Sequence, residues 1–140
     1  MTNRFKNWKY PNIKENKLTK YNWLVQNKRG LKLGDKTDIG AFTCINARHG
    51  VVIEDNVQVG SHCSIYSVST IDNKAGRVTL GKNCRIGAHS VIMPGVTVGE
   101  NSVVGAFSFV NKDIPKNSMA YGIPVKMVKK MSEKDFKKYG

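Results

Sequence analysis

Along residues 33–110 an aliphatic side chain returns every six positions: Leu33, Ile39, Ile45, Ile53, Val59, Ile65, Ile71, Leu80, Ile86, Ile92, Val98, Val104 and Val110. The register slips by two residues between Ile45 and Ile53 and by three between Ile71 and Leu80. The position after the aliphatic is mostly glycine or a short polar residue, as at Gly34, Gly60, Asp72, Gly87 and Asn111. These types tolerate positive φ, so a tight corner is predicted there. Two positions before the aliphatic the side chain is small or β-branched, from Thr37 and Thr43 through Cys63, Ser69, Cys84 and Ser90 to Ser108. Such a pattern suits a narrow interior. A period of six with one corner per repeat predicts short strands, three to a triangular coil of about 18 residues, with coils stacked about 4.8 Å apart. Counting corners by threes puts Asn46–Gly50, Tyr66–Thr70, Ala88–His89 and Ala106–Phe107 on one edge.

The flanks read differently. Residues 1–30 lack the period but hold Trp8, Tyr10, Tyr21 and Trp23, and are expected to cap the open end of the coil stack. The expected organisation is a cap over 1–30, coils over 31–115 and a tail over 116–140. Within the tail, Met127–Tyr139 reads as a short helix with Ser132 and Asp135 at capping-box spacing.

Charge follows the same division. The formal net charge of +13 is made of +8 over residues 1–36, zero over 37–110 and +5 over 111–140. Basic ends on a neutral body suit attraction of phosphate-bearing small molecules. No nucleic-acid-binding motif accompanies the charge, and no apolar run approaches the length of a membrane span. The basic N-terminus has no apolar core of a secretory signal, and three cysteines without paired spacing point to a reducing cytoplasm. Cys63 and Cys84 fall at inward positions and read as packing; Cys44 lies one residue off that register.

The run IGAHSVIMPGVTVGENSVVGAFSFVNKDIPKNSMAYGIPVKMVKK carries a resemblance. Its ordered segments IGxH, MPGVTVG, VVGAFS, NKDIP and GIPVK resemble hexapeptide-repeat sugar acetyltransferases, both the galactoside and maltose O-acetyltransferases and the N-acetyltransferases of nucleotide-linked amino sugars. The likeness extends over residues 33–130. It implies an all-β fold, a left-handed parallel β-helix of about four coils with a short C-terminal helix. The implied enzyme is a cytoplasmic homotrimer with active sites between subunits, transferring acetyl from acetyl-CoA to a sugar in surface-polysaccharide biosynthesis. By motif match, Ala88 and Ala106 would contact the pantetheine arm, Lys126 and Lys129 would lie near the adenosine phosphates, and Asn111 would supply a polar contact. GAF at 105–107 departs from the usual GAG, so Phe107 either narrows the groove or packs on a neighbour.

Acetyl transfer needs a group to remove the acceptor's proton, and histidine is the usual choice near neutral pH. His49 on the inserted corner, and His62 three residues past Val59, near a different corner and expected to face the groove from a neighbouring subunit, are the candidates; His89 beside Ala88 reads as structural or cofactor-packing. The loop that carries the catalytic histidine in galactoside acetyltransferases corresponds here to Asp72–Arg77, which has none. Asp55 falls where the sialic-acid-type N-acetyltransferases place theirs. Asp55 and Asp72 therefore stand as possible bases or orienters. An amine that arrives neutral needs less help than a hydroxyl, which favours N-acetylation over O-acetylation. Two other readings are a non-catalytic scaffold and a γ-type carbonic anhydrase; the three histidines lack a close zinc-ligand pair.

Overall fold

A computed structural model describes residues 5–139. Short strands wind into five stacked coils. The first holds β1 (Leu24–Gln26), β2 (Leu31–Leu33) and β3 (Asp38–Ile39). The second holds β4 (Cys44–Asn46), β5 (Val51–Ile53) and β6 (Gln58–Val59). The third runs from β7 (Ser64–Tyr66) through an antiparallel hairpin, β8 (Val68–Ser69) and β9 (Lys74–Ala75), to β10 (Val78–Leu80) and β11 (Arg85–Ile86). The fourth holds β12 (Val91–Ile92), β13 (Thr97–Val98) and β14 (Val103–Val104). The last holds β15 (Phe109–Val110), a bridge at Ile114 and β16 (Ser118–Tyr121). Parallel pairing between coils builds three faces: β1-β4-β7-β12-β15, β2-β5-β10-β13, and β3-β6-β11-β14-β16. An antiparallel strand, β17 (Lys126–Lys130), closes the third face, and α1 (Glu133–Tyr139) ends the chain.

The interior follows from the alternation. Aliphatic residues of each face stack in register, Ile45 on Ile65 on Ile92 on Val110, and the small positions Thr43, Val57, Cys63, Cys84, Ser90 and Ser108 fill the corners. Their polar atoms are satisfied inside: Thr43 Oγ1 donates to the Gly60 carbonyl at 2.8 Å and Ser102 Oγ to that of Pro115 at 2.6 Å. A narrow prism tolerates such hydroxyls because corner carbonyls turn inward to meet them.

Three expectations fail, each for a physical reason. Ile71 matches the six-residue period, yet it is 100% exposed in the hairpin, and Ser69 beside it is not an interior residue. The rung that follows Ile65 is therefore Leu80 of β10, and every rung after Ile65 moves by one face relative to the corner count above. The coils also extend past 31–115 at both ends: Val25 pairs with Ile45, and β16 pairs with β14. In the tail, Lys126–Lys130 forms a strand, so the helix begins only at Glu133; the capping box is nonetheless made, with Ser132 N donating to Asp135 Oδ2 at 2.8 Å.

The corner glycines also act otherwise than expected. Positive φ falls on the third residue after the aliphatic, at Phe42, Asn56, His62, Asn83, His89, Asn101, Phe107 and Asn117. Glycine directly after the aliphatic is required by close approach: a Cβ on Gly60 would sit 2.6 Å from the Ala88 nitrogen in the next coil.

Length variation is confined to one edge. Between second and third faces, and between third and first, the spacing stays at six residues, as in Ile53 to Val59 and Val59 to Ile65. All three insertions, the corner between β1 and β2, the Asn46–Gly50 corner and the β8–β9 hairpin, lie between first and second faces.

At the lower end Trp23, 2% exposed, plugs the prism beside Val25, and the Asn16 N–H donates to the Val25 carbonyl at 2.8 Å. The Glu15 carboxylate accepts the amides of Lys28 and Asn27, which hold it below the usual carboxylate range. Among the described residues no helix is long and apolar enough to cross a membrane.

Candidate active site

The edge between third and first faces gathers two of the three histidines. Its corners are Ala41–Phe42, Ser61–His62, Ala88–His89 and Ala106–Phe107, one per coil. Phe42, His62, His89 and Phe107 all take left-handed backbone conformation, with φ between 56° and 63°. That conformation projects their rings outward into a column. Ring centroids lie 5.3 Å apart for Phe42 and His62, 4.7 Å for His62 and His89, and 4.9 Å for His89 and Phe107; the last two pairs are stacked parallel. The spacing is the strand spacing of the coils. Amides tie the column vertically: His62 N donates to the Ala41 carbonyl, His89 N to Ser61 and Phe107 N to Ala88, at 2.9–3.0 Å.

Beside the column a trough of about 550 Å³ runs over the third face, lined by Asp38, Gln58, Gly60, Arg85, Gly87 and Ala106 among others. Glycine and alanine at the corners keep it shallow and open. At its upper end the Tyr121 side chain lies over Gly105, and Lys126 pairs with Tyr121 across β16 and β17. Lys129 lies opposite Met119, toward the other end of that strand pair, and is ion-paired with Asp135 at 3.0 Å.

The structure therefore brings together His62, His89, Ala88, Ala106 and Lys126. It does not place His49 with them. His49 is exposed on the edge between first and second faces, its backbone amide donating to Ser67 Oγ at 2.9 Å, and Asn111 lies on that same edge. Asp55 lies on the remaining edge, where its Oδ1 accepts the Asp35 amide at 2.9 Å. Asp72 sits in the hairpin; the Ser69 hydroxyl and then Lys74 hold its carboxyl below the usual range. The expected grouping of Asn46–Gly50 and Tyr66–Thr70 with Ala88 and Ala106 is thus wrong, because it counted Ile71 as a rung.

Cys63 and Cys84 pack inward as expected. Burial pushes the Cys63 thiol up, and burial reinforced by the Glu54 charge pushes that of Cys84 up to about 12. Cys44 is also raised by burial. None of the three is a ready thiolate nucleophile. Among the described residues no group of three or more potential ligands could hold a metal ion.

Phe42 and the ring column escaped the sequence reading. The signal was present: an aromatic ring stands three residues after the aliphatic of the first four third-face strands, Ile39, Val59, Ile86 and Val104.

Residues 77–112 match the family described as bacterial transferase hexapeptide (six repeats). The galactoside O-acetyltransferase of Lactococcus lactis subsp. lactis (strain IL1403) is 33% identical over 121 residues, 76% of this chain and 58% of that protein. That of Escherichia coli (strain K12) is 50% identical over 58 residues, 41% of this chain and 29% of that protein. The chain thus spans less than two thirds of either relative. A hexapeptide-repeat acetyltransferase from Vibrio cholerae O1 biovar eltor, complexed with acetyl coenzyme A, superposes with a TM-score of 0.75 at 25% identity, covering 79% of this chain and 66% of that one. A single-site mutant of AntD, an N-acyltransferase from Bacillus cereus in complex with dTDP-4-amino-4,6-dideoxyglucose and coenzyme A, gives 0.57 at 26% identity, covering 81% and 72%. The six-residue period and three-sided coils extend on both sides of the segment 77–112 that matches the bacterial transferase hexapeptide repeats.

Proposed function

We propose that this chain is an acetyl-CoA-dependent acetyltransferase that acylates an amino group of a sugar, with a nucleotide-linked sugar as acceptor. The observation that supports it most is the juxtaposition of His62 with the open corners Ala88 and Ala106, below Lys126, on one edge. Those residues fit an acyl-CoA: small side chains leave room for a thin arm against the backbone, and the exposed Lys126, Lys129 and Lys130 supply charge for phosphates. Acetyl-CoA, when bound, supplies an acetyl group on a good leaving thiolate. His62 takes the proton from the acceptor nitrogen and returns it to the departing sulfur, a role worth on the order of 10²–10⁴ in rate. His89, stacked 4.7 Å from it, keeps the His62 ring in plane.

A homotrimer in the cytoplasm with sites between copies belongs to the same proposal. His49, Asn111 and Asp55 occupy the other two edges, so they join this site only from a neighbouring copy. O-acetylation of a sugar hydroxyl is the second reading, favoured by the galactoside O-acetyltransferase relatives.

The test is thiol release from acetyl-CoA against nucleotide-linked amino sugars and simple glycosides. Turnover with an amino sugar that collapses in His62→Ala but survives in His49→Ala is the expected result. Turnover only with a glycoside hydroxyl would replace the first reading by the second. Absence of CoA binding would defeat both.

A further inference from the structure

We infer that the cleft between the N-terminal segment and the first coil is the subsite for the nucleoside diphosphate of the acceptor. The cleft has a volume of about 440 Å³, and Lys6, Trp8, Lys9, Tyr21, Asp38 and Ile39 are among its lining residues. That volume is in the range of small-molecule sites, roughly 300–1,000 Å³. Its lining combines the aromatic residues Phe5, Trp8, Tyr21 and Trp23 with the lysines Lys6 and Lys9, the pair of features that a base and a diphosphate require.

Capping does not explain these residues. Trp23 already plugs the prism, whereas Tyr21 stays 54% exposed and Lys6 and Lys9 face solvent. Trp8 is fixed in place, its Nε1 donating to the Thr37 carbonyl at 2.8 Å and its ring meeting Tyr10 edge-on at 6.1 Å. A pre-set ring loses little freedom when a base stacks on it. The charge of this end suits an anion, since residues 1–36 carry +8.

Position supports the same conclusion. Asp38 lines both this cleft and the trough on the third face, so the two adjoin at that residue. The Phe42 amide donates to the Asn22 carbonyl at 2.6 Å, joining the segment that carries Tyr21 to the foot of the ring column, one coil below His62. An acceptor held by its diphosphate at this end would meet an acyl carrier entering from Lys126 at the other. The inference rests on the proposed acetyl transfer.

Its test is calorimetric titration of the full chain with uridine 5′-diphosphate, thymidine 5′-diphosphate and, separately, CoA. At least one diphosphate should bind, and its affinity should fall about tenfold or more in Trp8→Ala and in a Lys6→Glu, Lys9→Glu double variant. CoA affinity should stay unchanged in both. The double variant alters only surface charge, so it decides the matter even if Trp8→Ala loosens the cap. Failure of the unaltered chain to bind either diphosphate, or equal affinity in the double variant, overturns the inference, as does a parallel loss of CoA affinity. Loss of CoA binding by the unaltered chain would instead overturn the proposed acetyl transfer.

Discussion

Two edges of the prism solve the same backbone problem with different side chains. Both turn through a residue in left-handed conformation every coil. Between second and third faces that residue is Lys36 in the first coil and asparagine at 56, 83, 101 and 117 in the others, and Asn83 Nδ2 donates to Asn101 Oδ1 at 2.9 Å while Asn101 Nδ2 donates to Asn117 Oδ1 at 3.1 Å. Asparagine tolerates this conformation, and its amides bond from coil to coil. Between third and first faces the same positions hold Phe42, His62, His89 and Phe107. Phenylalanine gains nothing locally from positive φ, so these rings are retained at a conformational cost that the first edge avoids. Strain of this kind collects at working sites. Under the proposed function, the asparagine edge is scaffold and the ring edge carries the chemistry.

The largest test of that contrast moves the scaffold solution onto the working edge. His62→Asn should cut turnover by about 10²–10⁴-fold while leaving stability equal or higher by up to about 1 kcal/mol. Steady-state rates and urea unfolding would show it; a loss of stability in step with activity would break the distinction. Gly60→Ala should destabilise by about 3 kcal/mol, because its Cβ would meet the Ala88 backbone. At Gly95, with φ of 82° and nothing within 4 Å of an added Cβ, the same change should cost about 1 kcal/mol. Paired chemical denaturation curves separate steric closure from conformational cost. On the scaffold edge, Asn101→Ala removes two ladder bonds and an asparagine at positive φ, a loss of about 1–2 kcal/mol with turnover unchanged.

The smallest effect is a pH response at the C-terminal cap. The Ser132 amide, then Lys129, lower the Asp135 carboxyl from 3.8 to about 2. A depressed carboxylate pKa stabilises the folded form above the unfolded value, and the contribution fades as pH falls from about 4 toward 2. The Ser132 amide resonance should shift over that window in the unaltered chain and stay flat in Asp135→Asn.

The coil architecture was legible because an interior this narrow accepts few side chains, so the six-residue period is written into almost every strand. Ile71 broke the count because spacing cannot tell an apolar residue at a rung from one at a hairpin tip; Ser69 was small in both readings. Val25 was missed because the insertion after it hides its period from the rungs that follow. The corner glycines were identified as necessary, but their reason, contact with the coil above, is tertiary. For the site, motif likeness named Ala88, Ala106 and Lys126, which lie along one edge, together with Asn111, which lies on another. The rung count put His49 on the edge of Ala88 and Ala106 and His62 near a different corner; taking the hairpin out of the count exchanges the two.

Confining all insertions to one edge makes the prism a ruler with a free margin. Segments can be spliced or trimmed beside His49 without disturbing the other two edges, where spacing never departs from six. Along the ring edge, positions are available only in steps of about 4.8 Å, one coil at a time. Adding or deleting a whole coil would therefore reset the reach between the Lys126 end and the N-terminal end by that step, a discrete gauge for the length of ligand this edge can span.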